Sequence, residues 1–440
     1  MHHSSKRVLI FGAGLVTGPL VDYLLEHGYG VTIASRTPEK GEAHCRGREG
    51  TSVIGFDVTK DIAKIDSLLE ECDIAVSMLP YIHHVTIAKR CIAKGKNLVT
   101  TSYVSDAMRE LDDEARAAGI ILLNECGLDP GIDHMSAMSV IDRIHEAGGK
   151  ILSFTSYCGG LPAPEANTNP LGYKFSWSPR GVILASRNPA TFLKDGETVN
   201  IPGPQLFSNY EIINMPDVGE LEGYPNRNSL PYIETYKVPE ALGIFRGTLR
   251  YRGWCDSLKA LGDIGLLDDT EQDFSGTSFV ELLTRNIPAG PGNPKVRVAE
   301  FLGIENESHP IQVLDWLGFF SADPIPTSNS SPLDILVDIM LEKMQYREGE
   351  RDMVILEHQF LAEVSGRREN LTSTLIGYGI PNGRTAMSRM VGIPAGIAVA
   401  LVLEQKISAK GVQVPVTKEI YAPILKDLEK YDISFSERIG

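Results

Sequence analysis

The chain has 440 residues, 42% hydrophobic and 22% charged, values ordinary for a globular protein with room for two or three domains and large cores. Its formal charge of -15 repels a phosphate backbone, which disfavours nucleic acid as a partner, and an acidic substrate would need a local basic pocket. The six cysteines at 45, 72, 91, 126, 158 and 255 form no C-x-x-C pair, so neither a zinc site nor a disulfide framework is indicated and a reducing cytoplasm is the expected location.

In chain order, Met1 to Ser5 lack the basic and then apolar regions of a signal peptide, and His2 and His3 are given no role. The apolar run from Arg7 to Phe11 then empties through Gly12-Ala13-Gly14-Leu15-Val16-Thr17-Gly18 into a helical run reaching His27. A strand, a glycine turn and a helix N-terminus present free backbone N–H groups and a partial positive charge, the makings of a pyrophosphate site. The spacing matches a dinucleotide fingerprint through its first two glycines, but Thr17 stands where the third small residue belongs, with Gly18 one place later. The next strand, Gly30 to Ala34, ends in Ser35-Arg36-Thr37. An NAD-selective fold places an Asp or Glu there for the ribose 2′-OH, whereas a guanidinium between two hydroxyls suits a 2′-phosphate. NADP(H) is the expected cofactor.

Further strands are predicted at 52–56, 73–78, 97–100 and 120–123, alternating with amphipathic helices, which implies a parallel sheet covered on both faces. Asp57 follows the third strand, where it would meet an adenine amino group or cap the 61–70 helix. Ser77 and Leu79 end the fourth strand at the carboxyl edge, where open α/β sheets bind ligands. Thr100-Thr101-Ser102-Tyr103 ends the fifth, offering hydroxyls to a carboxylate or a nicotinamide, with capping as the plainer role. After the sixth, Leu128-Asp129-Pro130-Gly131 places a carboxylate at the same edge or simply makes a turn. His134 reads as a structural hydrogen-bonding residue. His83 and His84 are adjacent, so on a helix they point about 100° apart and cannot share a metal.

Beyond 150 the predicted strands are longer, at 150–158, 244–252, 352–361 and 371–378. The loop-rich stretch 159–232 between the first two reads as a binding loop or lid. Tyr157 to Glu165, running into it, and Pro170 to Ser178, including Lys174, suit either a pocket wall or a well-packed loop. Strand alternation puts Arg246, Thr248, Arg250 and Arg252 on one face, which marks a local anion site or a solvated strand face balanced by nearby acids, and Arg227 is a further candidate. Residues 256–345 read as short helices, notably Leu258 to Leu267 and Leu333 to Met344. A long helix, Thr385 to Glu404, follows. Its most apolar part, Ile393 to Leu403, is too short to span a bilayer and reads as buried, so no membrane role is expected. No nucleophile elbow is present, which disfavours a hydrolase.

These residues resemble the saccharopine reductase family, the NADP-dependent, L-glutamate-forming saccharopine dehydrogenases. The shared segments are Gly-x-Gly-x-Val-Thr at 12–17, Ser-Arg-Thr at 35–37, Val-Thr-Thr-Ser-Tyr-Val-Ser at 99–105 and Gly-Leu-Asp-Pro-Gly-Ile-Asp-His at 127–134. They continue with Ser-Tyr-Cys-Gly-Gly-Leu-Pro-Ala-Pro-Glu at 156–165, Asn-Pro-Leu-Gly-Tyr-Lys-Phe-Ser-Trp-Ser at 169–178, Tyr-Pro-Asn-Arg at 224–227 and Arg-Gly-Thr-Leu-Arg-Tyr at 246–251. The resemblance is weakest over 205–221 and 265–340. It implies an α/β fold with a Rossmann-type parallel-sheet domain, 1–130, completed by about 390–440. It also implies an α/β substrate and dimerisation domain, 131–255 with 346–389, and a helical insertion, 256–345.

The implied reaction interconverts saccharopine with glutamate and 2-aminoadipate 6-semialdehyde through an imine. Implied substrate contacts are Ser102, Tyr103, Asp129, Arg227, Thr248, Leu249 and Arg250, with Asp129 and Tyr103 the candidates for proton transfer or for holding the substrate ammonium. Implied cofactor contacts are Gly12, Ala13, Gly14, Leu15, Val16, Thr17, Arg36, Leu128, Asp129, Pro130, Tyr157 and Ser178, beside the Ser35, Thr37, Asp57, Ser77 and Leu79 read above. A homodimer with no metal is expected. Two rival readings are a carboxynorspermidine or homospermidine-type imine reductase, whose diamine pocket should be acidic rather than arginine-rich, and a catalytically silent NADP-binding regulator.

Overall fold

After Arg7 every residue of β1 (Arg7–Phe11) is buried, and β2 (Gly30–Ser35) is buried throughout. Such unbroken apolar runs belong in a sheet covered on both faces. The computed structural model describes residues 6–185, 187–326 and 331–440, so the histidines at 2 and 3 lie outside the described residues. With β3 (Thr51–Gly55), β4 (Ile74–Ser77), β5 (Asn97–Thr100) and β6 (Ile121–Leu123), these strands form one parallel sheet. Its order is the short strand Gly411–Gln413, then β6, β5, β4, β1, β2, β3. The order reverses direction at β1, with β2 on one side and β4 on the other. That switch opens a crevice at the carboxyl ends of the strands. Leu9 and Phe11 pack into a core with Ile65, Leu68, Ile87 and Leu98, while Val8 and Ile10, also buried, take the opposite face.

Two compact units divide the chain: residues 1–150 with 362–369 and 373–440, and residues 151–361 with 370–372. In the first, the helix Ala386–Leu403 packs on the helix Gly18–Glu26. Two glycines one turn apart allow the approach: a Cβ at Gly392 would lie 2.8 Å from the Leu20 nitrogen, and one at Gly396 2.7 Å from the Tyr23 ring. Close helix packing, the usual duty of a third fingerprint glycine, is thus met from the far end of the chain. By length and composition the Ala386–Leu403 helix could cross a membrane, but 89% of it is buried inside the protein.

The second unit is built on β7 (Lys150–Pro162). Between it and the next expected strand, the chain departs from the loop-rich reading. It forms β8 (Ala190–Lys194), β9 (Glu197–Ile201), β10 (Glu211–Met215) and β11 (Gly219–Pro225), two antiparallel hairpins. The first turns through Asp195 and Gly196, both at positive φ (51° and 83°), the backbone of a two-residue hairpin loop. β12 (Gly243–Tyr251) runs parallel to β7 and antiparallel to β11, giving the order β10, β11, β12, β7, then β13 (Asp352–Val364). Between β12 and β13 the described residues form five helices, Trp254–Ile264, Phe279–Thr284, Pro294–Leu302, His309–Leu317 and Pro332–Lys343. Ser278 and Glu281 close a capping box at the second of them.

Candidate active site

At the mouth of β1, Gly12 has φ 103°, and a Cβ there would meet the Met78 carbonyl oxygen at 2.9 Å, so only glycine fits. Gly14 differs. Nothing lies within 4 Å of a Cβ built on it, so the protein's own packing does not demand glycine; room for a pyrophosphate against the backbone explains it. The Gly14 carbonyl is held by His44 Nε2 at 2.9 Å and by the Thr17 N–H at 3.2 Å. Thr17 is fully buried and its hydroxyl has no described partner. A Cβ at Gly18 would collide with the Arg384 guanidinium, which instead bonds Asp22 at 2.7 Å. The displaced glycine therefore seats an arginine rather than a ligand. Leu15 projects from the turn, 61% exposed.

At the end of β2, Ser35 Oγ lies 3.2 Å from both the N–H and the carbonyl oxygen of Thr37. That pinches the backbone so that Arg36 and Thr37 stand exposed. Arg36 makes no hydrogen bond or ion pair with the described residues. Beyond β3, Asp57 accepts from the Thr59 hydroxyl and N–H at 2.7 and 3.0 Å. These bonds, then the Lys60 and Arg36 charges, hold its carboxyl below the usual range against a small burial cost. The exposed glycine turn and the free guanidinium fit a phosphorylated dinucleotide.

Ser77, Ser102, Tyr103 and Asp129 all lie at the carboxyl edge. His84 joins two of them: its Nδ1 is 2.8 Å from Ser77 Oγ and its Nε2 2.9 Å from Ser102 Oγ. Burial, and secondarily the His83 charge, pull the His84 pKa from 6.5 to about 4, so it is neutral at ordinary pH. The Tyr103 hydroxyl donates to Asp129 Oδ1, bringing the two proton-transfer candidates together. Leu79 packs on the sheet core. Leu128 is buried, and its carbonyl accepts from Asp133 N–H at 3.0 Å.

Behind this edge lies a buried cluster. Glu125 Oε1 accepts from the Val104 N–H at 2.8 Å, and its Oε2 lies 2.7 Å from His134 Nε2. Asp133 Oδ1 accepts from the Gly131 N–H at 2.6 Å. The expectation that His134 is structural agrees with this placement. The sequence marks His84 only as unable to share a metal with His83, and it assigns Glu125 no role. Each has one partner on a neighbouring strand end, Ser102 for His84 and Val104 for Glu125, and the one available signal was a charged residue two places after a buried strand.

In the second unit, Arg250 is 6% exposed. Its guanidinium lies over the rings of Tyr173 and Trp254, 4.8 and 5.3 Å from their centroids, and its Nη1 donates to its neighbour's carbonyl at Leu249. Its Nε is buried without a partner, and no described carboxylate pairs with it. Glu222, directly opposite in the strand register, gives both oxygens to the Gly253 and Cys255 N–H groups at 2.7 and 2.8 Å. A buried cation with no carboxylate hydrogen-bonded to it among the described residues is left without a partner for its charge. Thr248, half-buried, pairs with Cys158 on β7.

Arg246 is buried against the Tyr232 ring, 4.4 Å away. Arg252 corrects the one-face reading: the strand ends at Tyr251, and Arg252 is an exposed partner of Glu220 at 2.7 Å. Arg227 is exposed at φ 53°, its carbonyl accepting from Thr191 N–H at 2.9 Å. Lys174 is buried in an ion pair with Glu350 at 2.5 Å, which makes it a brace rather than a free fixing point. The Tyr157 ring covers Gly247 and Gly223, where a Cβ would approach to 2.7 and 2.8 Å. Ser178 Oγ accepts from Gly181 N–H at 3.3 Å, capping the helix Pro179–Ala185.

Comparison with known proteins agrees with this geometry. Residues 8–123 match the family model of the saccharopine dehydrogenase NADP binding domain, and residues 127–433 that of the saccharopine dehydrogenase C-terminal domain. The chain is 44% identical to a saccharopine dehydrogenase [NADP(+), L-glutamate-forming] of Pyricularia oryzae, covering 99% of each. It is 41% identical to the protein of that name from Schizosaccharomyces pombe, covering 98% of each. A solved structure of apo saccharopine dehydrogenase (L-Glu forming) from Saccharomyces cerevisiae superposes with a TM-score of 0.89 at 39% identity, over 99% of this chain and 100% of that one.

Proposed function

The chain belongs to the saccharopine dehydrogenase family, and from that premise we propose how its residues perform the reaction. It is an NADP(H)-dependent oxidoreductase interconverting saccharopine with L-glutamate and 2-aminoadipate 6-semialdehyde, a step of lysine metabolism. Bound NADP(H) accepts or supplies the hydride at the carbon bearing the secondary amine. The turn Gly12 to Thr17 receives its pyrophosphate, and Arg36 with Ser35 and Thr37 its 2′-phosphate. Asp57, Ser77, Leu79, Leu128, Pro130, Tyr157 and Ser178 are the further cofactor contacts of this proposal.

Arg250, buried with no carboxylate bonded to it among the described residues, carries the substrate assignment. Saccharopine bears three carboxylates, and a chain of net charge -15 must concentrate cations to hold them. Arg250, Thr248, the Leu249 backbone and Arg227 bind carboxylate groups of the substrate. Asp129, with Tyr103 donating to it and Ser102 nearby along the same edge, holds the substrate ammonium. An imine accepts hydride readily once aligned, so positioning supplies most of the rate. A homodimer in the cytoplasm completes the proposal, the location supported by six cysteines without a disulfide among the described residues; sedimentation and cell fractionation test both.

The deciding experiment follows reduced cofactor by absorbance when the purified chain meets saccharopine and NADP. Turnover is expected, and Arg250→Ala or Arg227→Ala should lower kcat/KM for saccharopine by about 2 to 4 kcal/mol of transition-state stabilisation with NADPH affinity intact. Arg250→Lys should recover only part of this, because the planar fork is lost. Wild-type kinetics in the Arg→Ala variants would remove the anion-pocket assignment.

A further inference from the structure

Three buried side chains converge on the Tyr103–Asp129 pair from behind. Glu125 is 5% exposed and sits at φ 61°, a left-handed conformation unfavourable for a residue with a side chain such as glutamate. Glycine would adopt it freely, so the carboxylate must do something that offsets the strain. What it does is visible in its two oxygens. One takes the N–H of Val104, the residue after Tyr103, at 2.8 Å; the other lies 2.7 Å from His134 Nε2. On its far side His134 Nδ1 is 3.6 Å from Asp133 Oδ2. Asp133 in turn takes the Gly131 N–H at 2.6 Å, two residues beyond Asp129.

We propose that Glu125, His134 and Asp133 form a positioning clamp that sets the mutual placement of Tyr103 and Asp129 for the substrate. One continuous chain of contacts ties the backbone beside each partner to the same three side chains. All three are almost wholly excluded from solvent, so none of them touches substrate. Their lever is geometric. A shift of about 1 Å in a substrate-holding group can cost about 100-fold in rate, and the Val104 and Gly131 N–H groups are the two points that prevent it.

The inference rests on the reading of Tyr103 and Asp129 as substrate-holding residues, and the experiment separates the two. Tyr103→Phe, Glu125→Gln and the double variant are assayed for saccharopine kcat and KM, for NADPH binding by fluorescence, and for the melting temperature. Glutamine can still accept from Val104 N–H but loses the charge facing His134. Expected for Glu125→Gln is a fall in kcat/KM for saccharopine of about 10-fold or more with NADPH affinity unchanged. In the Tyr103→Phe background the further loss should be under about 3-fold, because the pair being held is already broken.

Equal losses in both backgrounds, or a parallel loss of NADPH affinity, would overturn the clamp in favour of a general structural role. Wild-type kinetics for Glu125→Gln would overturn it outright. If Tyr103→Phe and Asp129→Asn themselves leave saccharopine kinetics unchanged, the reading of the site fails rather than the clamp alone. Should Glu125→Gln not fold, Asp133→Asn tests the Gly131 end. The clamp predicts the same selective saccharopine defect there, and wild-type kinetics would refute it.

Discussion

His84 gives the structure a pH dependence whose size can be worked from its burial. The folded protein holds this imidazole between Ser77 and Ser102 with its pKa drawn from 6.5 down to about 4. In the unfolded chain the same ring takes a proton near the ordinary value. Between these two pKa values the unfolded state binds more protons, so stability rises with pH there and is lost as pH falls. At about 1.4 kcal/mol per unit the gap amounts to on the order of 3 kcal/mol. The loss begins below about pH 6.5 and is complete near the folded pKa of about 4. His84→Gln keeps a donor and an acceptor but cannot titrate. Urea denaturation of both proteins in steps from neutral to acidic pH isolates the contribution of this ring, because all other titrating groups are shared. Wild type should lose on the order of 3 kcal/mol more than the variant across that window. Parallel stability curves would show that the ring protonates in place, and the burial argument would fail.

Arg36→Ala should weaken NADPH binding by about 10 to 100-fold, the worth of a charge-assisted contact of roughly 1.5 to 3 kcal/mol, with NADH use barely altered. Equal loss with both cofactors would make Arg36 a structural residue. Asp129→Asn should raise the KM for saccharopine and leave the shape of the pH–rate profile unchanged, since its carboxylate already accepts the Tyr103 hydroxyl and suits an anchor for the ammonium. If instead kcat falls by about 100-fold or more, one limb of the profile vanishes and KM is unaltered, Asp129 is the general acid or base.

The parts of the fold visible in the sequence are those where one physical demand dominates. The strands around the glycine turn are buried on both faces, so their residues had to be continuously apolar, and Gly12 had to be glycine because its φ is positive and Met78 stands in the way. The hairpins between 190 and 225 were hidden for the opposite reason. The pattern of Glu197–Ile201 is half polar and largely exposed, so it carries no strand period stronger than that of a loop. The Asp195-Gly196 pair was nonetheless a hairpin signal in plain view. Arg252 shows the limit of alternation, which assigns a face but cannot say where the strand stops.

The site divides along the same line. Residues proposed to face ligands were legible because their chemistry is uncommon in a turn: an arginine between hydroxyls, an aspartate before Pro-Gly, and arginines two residues apart from a threonine on a strand. Residues that hold those groups in place were not. His84 lies 18 residues from Ser102 in sequence and Glu125 lies 21 from Val104, and only the ordering of β4, β5 and β6 side by side brings them together. The strain at Glu125 is equally invisible in a letter code, because a left-handed glutamate looks like any other glutamate. That is also why the strain is informative once seen. A parallel sheet aligns the ends of its strands without effort, but it does not fix the turns that leave them, and a costly backbone with a doubly occupied carboxylate is what holds two of those turns in register.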